Sequence, residues 1–249
     1  MAETHYIYGM HAVQALLQRE PEQVQHIWMD NSRRDDKAGK IISLAAEANL
    51  KVERVKKEVL GKLVGEKANH QGVVALSKEV PAGNEKDLKN LLKHLNEPPF
   101  LLILDGVQDP HNLGACLRTA DAAGVHAVIA PKDKATGLTA VVRKVASGAA
   151  ETVPFIQVTN LARTMRDLQQ AGIWLIGTSL ETEQNIYQAD LTGPLGLVLG
   201  AEGKGLRRLT TENCDLLVKL PMFGAVQSLN VSVSAGVCLY EAVRQRTKN

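Results

Sequence analysis

Two kinds of apolar pattern divide the chain. Up to about residue 77, short apolar stretches alternate with polar ones. Helical spacing runs from Met10 to Gln18 through Val13, Leu16 and Leu17, followed by a strand-like Val24 to Met29 and a polar break from Asp30 to Lys37. A second helix follows, with Ile41, Ile42, Leu44, Ala45 and Ala48 on one face. Val52 to Val55, a helical piece near Val59 and Leu63, and the strand-like Gly72 to Leu76 complete a small α/β domain, residues 1–77.

Residues 78–98 read as a linker. Lys78 to Asn84 contains Pro81 and Gly83 and lacks periodicity, and a short amphipathic helix with Leu88, Leu91, Leu92 and Leu95 closes at Pro98 and Pro99. From residue 99 to 249 the strands change character. FLLIL, VHAVIA, IWLIG, LGLVLG and LLVKL are apolar nearly throughout, as strands of a parallel sheet covered on both faces must be. Helical patterns at Leu113 to Ala123, Ala140 to Ser147 and Leu161 to Gln170 lie between them, which predicts a doubly wound α/β domain.

Composition narrows the function only by exclusion. No apolar run is long enough to span a bilayer, and Met1 to Met10 has no stretch resembling a secretory signal, so the cytoplasm is the expected compartment. Cys116, Cys214 and Cys238 stand far apart without a C-x-x-C pair; they read as reduced, small apolar fillers, and no metal site is expected. The net charge is only +2, with 15 basic and 14 acidic residues before position 98 and 14 and 13 after it. A nucleic-acid partner would have to be held by a local basic patch. The cations Arg33, Arg34, Lys37 and Lys40, placed in a loop, form one such patch or a solvated charge run.

Three segments gather polar groups at strand ends. Neither G-x-G-x-x-G nor a Walker pattern occurs, which removes most of the weight from a dehydrogenase or nucleoside triphosphatase. LILDGVQDPHNLGACLRTADAAGV places Asn112 before a helix and Arg118 within it, where Asn112 could equally be an N-cap and Arg118 a surface cation. LVLGAEGKGL runs a strand into a turn with Glu202 among Gly200, Gly203 and Gly205, glycines that would let backbone approach a ligand or simply make a sharp connection. In VKLPMFGAVQSLNVSVSAGVCLYEAVRQR a flexible loop precedes a helix opened by Ser228 to Asn230, with Ser228 a possible N-cap. Val231, Ala235, Cys238 and Ala242 read as one packed face of that helix.

Together and in this order, the three segments resemble the signature motifs of the SpoU/TrmH (SPOUT) family of RNA 2′-O-ribose methyltransferases. Asp105, Pro110, Asn112, Gly114 and Arg118 meet the first; Gly200, Glu202 and Gly203 the second; Pro221 with Ser228, Leu229 and Asn230 the third. Tyr8, Gly9, His11 and Ala12, with His70, Gln71 and Gly72, resemble the substrate-binding domain of the same enzymes, so the likeness covers nearly the whole chain.

The resemblance implies a small α/β RNA-binding domain followed by a C-terminal SPOUT-type parallel sheet with a deep trefoil knot, an exception to the rule against threaded chains. It implies S-adenosyl-L-methionine as cofactor, bent in the knot and held largely by main chain around Gly200, Leu220, Met222 and Leu229, and a homodimer. The likeness is greatest to members that methylate a guanosine of 23S ribosomal RNA; another ribosomal or transfer RNA nucleotide, or a non-catalytic RNA-binding factor, are the alternatives. In the implied site Arg118 activates the ribose hydroxyl, while Asn112, Glu202, Ser228 and Asn230 orient the ribose and the arginine.

Overall fold

The structure is a computed structural model that describes residues 4–66, 68–78 and 82–247. Residues 79–81, including the Pro81 of the expected linker, lie outside the described residues. The chain forms two compact units, Met1–Pro81 with Ser147–Thr152, and Ala82–Ala146 with Val153–Asn249.

The first unit is a four-stranded sheet in the order β1 (Thr4–Tyr8), β4 (Val73–Lys78), β2 (Val24–Asp30), β3 (Val52–Val55). β4 runs antiparallel to both β1 and β2, and β2 is parallel to β3. Alternation sends Ile7, Ile27, Met29, Val73 and Ala75 to one face, where they pack with Val13, Leu16 and Leu17 of α1 (Met10–Arg19) and Ile41 and Ala45 of α2 (Asp36–Glu47). α3 (Lys57–Val64) buries Leu60, and α7 (Ala149–Thr152) packs on α1. β1 was not anticipated by the pattern. α2 begins one residue after Asp35, whose carboxylate accepts from the Ala38 N–H at 3.1 Å, so Lys37 and Lys40 stand on a helix and not in the expected loop.

Here the motif residues at the two ends of the domain meet in a structural lock. Gly9 is the N-cap of α1 and has no side chain with which to cap; Gln71, held at φ 51°, supplies the missing acceptor, taking the Met10 N–H on Oε1 at 3.0 Å. Buried His70 accepts the Gly72 N–H on Nδ1 at 3.1 Å. Burial, with Lys57 nearby, lowers its pKa against a smaller opposing effect of Asp30, which keeps the ring neutral as that acceptor needs. Gly72, at φ 84°, lies under Arg33, whose Cγ would be 2.8 Å from an added Cβ.

The second unit holds an all-parallel six-stranded sheet, as expected, in the order β10 (Leu216–Val218), β8 (Trp174–Thr178), β9 (Leu195–Gly200), β5 (Phe100–Asp105), β6 (Ala127–Pro131), β7 (Phe155–Val158). All six residues of β5 are buried. β7, a four-residue strand, escaped the apolar pattern. α4 (Glu85–His94), α5 (Pro110–Ala122), α6 (Ala140–Ala146), α8 (Leu161–Gln170), α9 (Arg208–Glu212) and α10 (Val231–Arg246) complete the unit. From β5 the chain first builds outward through β6 and β7, then returns to build β8 and β9 on the other side. β5 and β9 therefore flank the point where strand order reverses, and ligands of open parallel sheets sit beyond the carboxyl ends of strands at such points.

The end of the chain doubles back. β10 lies outside β8, yet α10 packs on α5 and β9. The segment between β8 and β9 holds both ends of this excursion. Ser179 and Ile186 donate to the carbonyls of Val218 and Lys219, while Gln245 and Arg246 of α10 donate to the carbonyls of Ala189 and Leu191. Val231, Ala235, Cys238 and Ala242 are buried on one face of α10, as their spacing predicts.

Candidate active site

The site is built at the carboxyl ends of β5 and β9, where Asp105 pairs in register with Gly200. Asp105 has a fully buried carboxylate, and the cation that compensates it is Arg207, just past the turn after β9. Its backbone N–H donates to Oδ2 at 2.8 Å and its Nε to Oδ1 at 2.6 Å, and its Nη2 adds an ion pair. This pair ties the turn to the neighbouring strand. Sequence reasoning recorded Asp105 as a motif position and missed Arg207, which no local spacing connects to it.

Between them, residues 201–205 form a closed turn with the Gly205 N–H bonded to the Ala201 carbonyl at 3.0 Å. A Cβ on Gly200 would fall 2.1 Å from the Gly205 carbonyl carbon. The glycine is thus required by the turn's own backbone, which occupies the space that a side chain would take.

The turn presents Glu202 to two asparagines. Asn112 Nδ2 donates to Oε2 at 3.2 Å, Asn230 Nδ2 donates to Oε1 at 2.5 Å, and the same Asn230 amide nitrogen reaches Asn112 Oδ1 at 2.9 Å. Both asparagines come from helix starts, but not in the expected roles. The N-cap of α5 is Asp109, accepting from the His111 N–H at 2.8 Å, which leaves Asn112 inside the first turn and buried. The N-cap of α10 is Asn230 and not Ser228: its Oδ1 accepts from the Ser232 N–H at 2.9 Å and from the Ser232 hydroxyl at 2.6 Å. Asn230 is therefore fixed at both ends of its amide, the oxygen by the cap and the nitrogen by the cluster. The Glu202 carboxylate joins two helix N-termini, whose partial positive charge favours an anion there.

The structure brings Asn112, Glu202 and Asn230 into one hydrogen-bonded cluster. Arg118 and Ser228, the other two expected catalytic residues, make no hydrogen bond to it. Arg118 projects exposed from α5, six residues beyond Asn112, and has no hydrogen bond or ion pair to any described residue. Ser228 lies exposed in the segment 220–229, whose backbone makes no hydrogen bond to any described residue. Within that segment Leu220 and Met222 are half-buried, and Phe223, Val226 and Leu229 are exposed. Unpaired amides and carbonyls beside apolar side chains suit a flat heteroaromatic ligand held by main chain.

Nucleophilic cysteine chemistry has no place here. Burial pushes the thiols of Cys116, Cys214 and Cys238 up to about 12. Among the described residues no group of three or more His, Cys, Asp or Glu side chains is placed to hold a metal ion, and no helix is long and apolar enough to cross a membrane.

These features define a class, a parallel α/β protein whose polar cluster lies at a topological switch point. Comparison with known proteins narrows it. The family model described as the SpoU rRNA Methylase family matches residues 99–240, and one described as RNA 2′-O ribose methyltransferase substrate binding matches residues 6–82. The chain belongs to the SpoU rRNA methylase family. It is 56% identical to the 23S rRNA (guanosine-2′-O-)-methyltransferase RlmB of Pseudomonas putida over 99% of this chain and 98% of that protein. To the enzyme of the same name from Vibrio vulnificus it is also 56% identical, over 97% of each chain. The crystal structure of the SpoU methyltransferase AviRb from Streptomyces viridochromogenes with its cofactor AdoMet is similar with a TM-score of 0.76 at 24% identity, covering 99% of this chain and 92% of that one, a likeness of fold.

Proposed function

We propose that the chain methylates the ribose 2′-hydroxyl of a guanosine in 23S ribosomal RNA, with S-adenosyl-L-methionine as methyl donor. The observation that carries the reading is the Asn112–Glu202–Asn230 cluster, which joins all three motif segments at the switch point, with Arg118 on the same helix as Asn112 and without a partner among the described residues. The identity to RlmB enzymes at 56% over essentially full length supports the 23S guanosine as target. Residues 6–82 would bind the RNA, with Arg33, Arg34, Lys37 and Lys40 on phosphates, and the unit built on 99–249 would carry the chemistry.

The segment 220–229 fits the cofactor. Its free backbone groups would bond the adenine, Leu220, Met222 and Leu229 would cover the ring faces, and the end of β9 at Gly200 would border the pocket. The bound cofactor supplies an electrophilic methyl group on a sulfonium. What the protein adds is alignment of the 2′-oxygen with that methyl and stabilisation of the charge developing on it. Arg118 would do the second. A guanidinium stays protonated, so Arg118 acts electrostatically and is not the proton acceptor. Ser228 and Asn230 would bracket the ribose, and the Asn112–Glu202–Asn230 cluster would hold both helix starts in position.

The return of α10 across the sheet, with the segment 179–193 bonded to β10 and α10 alike, supports a chain threaded as a trefoil knot. The exposed apolar side chains Val233 and Tyr240 on α10, with Leu209, support a homodimer through this region. The expected compartment is the cytoplasm, where ribosomal RNA is modified.

The test is direct. The full chain is incubated with methyl-labelled S-adenosyl-L-methionine and 23S RNA from a strain lacking the enzyme, and the label is mapped. A single 2′-O-methylguanosine is the expected product. Label on a base, or on transfer RNA alone, overturns the reading.

A further inference from the structure

The first unit contains a cavity that its fold does not explain. It has a volume of about 570 Å³ and is lined by Asn31, Arg34, Ala38, Gly39, Ile42 and Arg54. Small-molecule pockets run from roughly 300 to 1,000 Å³, so one nucleotide fits. The floor is the outer face of α2, formed by Gly39 and the exposed Ile42, with the buried Ala38 beneath them. The walls are polar and solvent-exposed. Arg54 is locked by Nη1, which donates to the carbonyls of Asp30 at 3.0 Å and Arg33 at 2.7 Å, leaving Nε and Nη2 without a partner among the described residues. Arg34 and the Asn31 side-chain amide likewise make no hydrogen bond to described residues, although the Asn31 backbone N–H is held by Val55 at 2.8 Å.

Gly39 is the most telling position. Glycine inside a helix weakens it, and such a residue is ordinarily explained by a close neighbour. Gly39 has none: a Cβ built there meets nothing within 4 Å, and its backbone conformation is that of any helical residue. Packing gives no reason for the missing side chain. Keeping the floor of the cavity open for an incoming group does.

We infer that this cavity receives a single unpaired nucleotide of the RNA substrate, its base laid on the Gly39–Ile42 face and its edge read by Asn31. Arg34 and Arg54 would take the phosphate. The charge is right for it: residues 33–40 carry Arg33, Arg34, Lys37 and Lys40 against Asp35 and Asp36, and Asp35 is already committed to Arg33 at 3.0 Å and to capping α2. Sequence-specific reading of RNA mostly targets unpaired nucleotides, whose splayed-out bases can be stacked and hydrogen-bonded at their edges, because the deep, narrow major groove of paired A-form RNA is closed to side chains. The inference rests on RNA being the substrate and adds where one of its nucleotides is gripped.

Gly39→Leu tests it with little risk to the fold, since its Cβ enters open space and leucine is the better helix former. The full chain is titrated with a labelled 23S RNA fragment by fluorescence anisotropy, and thermal unfolding is measured in parallel. Gly39→Leu is expected to unfold at the same or a higher temperature while binding RNA at least tenfold more weakly. Arg34→Ala is expected to weaken binding about fivefold and to reduce the slope of log affinity against log salt by about one phosphate contact. Affinity for Gly39→Leu within twofold of the unsubstituted chain overturns the inference. So does competition by free nucleoside monophosphates at the concentrations where RNA binds, which would make the cavity a metabolite site. Because binding is read without methyl transfer, RNA binding by a chain that transfers no methyl would sink the proposed activity and leave the pocket standing.

Discussion

The two units use family motifs in opposite ways. In the first, Gly9, His70, Gln71 and Gly72 are absorbed by folding: Gln71 caps α1 in place of a glycine that cannot, and His70 and Gly72 shape the turn before β4. In the second, Asn112, Glu202 and Asn230 bond mainly to one another beyond the carboxyl ends of the central strands and contribute nothing to the sheet's apolar core. A recurring polar residue can therefore mark either a backbone problem solved by a side chain or a group aimed at a ligand. The distinction lies in what its hydrogen bonds satisfy.

Substitutions sharpen the contrast, beginning with the largest expected effect. Arg118→Ala should lower turnover by about 10²–10³-fold, as removal of one transition-state charge partner does, with thermal stability and calorimetric cofactor affinity unchanged. Near-normal turnover would remove Arg118 from the chemistry. Gly200→Ala should be next, because its Cβ collides with the backbone of the 201–205 turn: about 2–3 kcal/mol of stability and the cofactor affinity should fall together. A variant that loses cofactor without losing stability would show that the glycine serves the ligand and not the turn. Smallest is Gln71→Ala, which removes a cap worth about 1 kcal/mol and should be visible in urea unfolding but leave turnover at saturating RNA within twofold. The reverse pattern, intact stability with lost activity, would erase the difference between the two units.

How much of this could be read from sequence depended on how local each signal was. The strands FLLIL and LGLVLG announced a parallel sheet because burial on both faces leaves no polar alternation, whereas β1 and the four-residue β7 were too short or too polar to stand out. Helix α5 was legible, but its start was not. Asp109, Asn112, Ser228 and Asn230 are all competent caps, and only the tertiary setting decided that Asp109 and Asn230 would cap. The Asp105–Arg207 pair and the use of Gln71 as a cap for α1 join residues far apart in sequence, and no spacing rule reaches them. The site residues themselves were found by the joint order of three motifs.

The strand order also sets a timetable for synthesis. Phe100 of β5 pairs with Leu195 of β9, so the centre of the larger sheet cannot close until a long stretch of later chain has emerged. At roughly 5–20 residues per second that wait lasts about 5–20 s. During it β5, β6 and β7 form a partial sheet whose inner edge at β5 is open and strongly apolar, the kind of surface that chaperones hold and aggregates extend. A chain truncated before β9 should therefore be recovered with chaperones, and the pause before Leu195 is the interval in which the nascent enzyme most needs them.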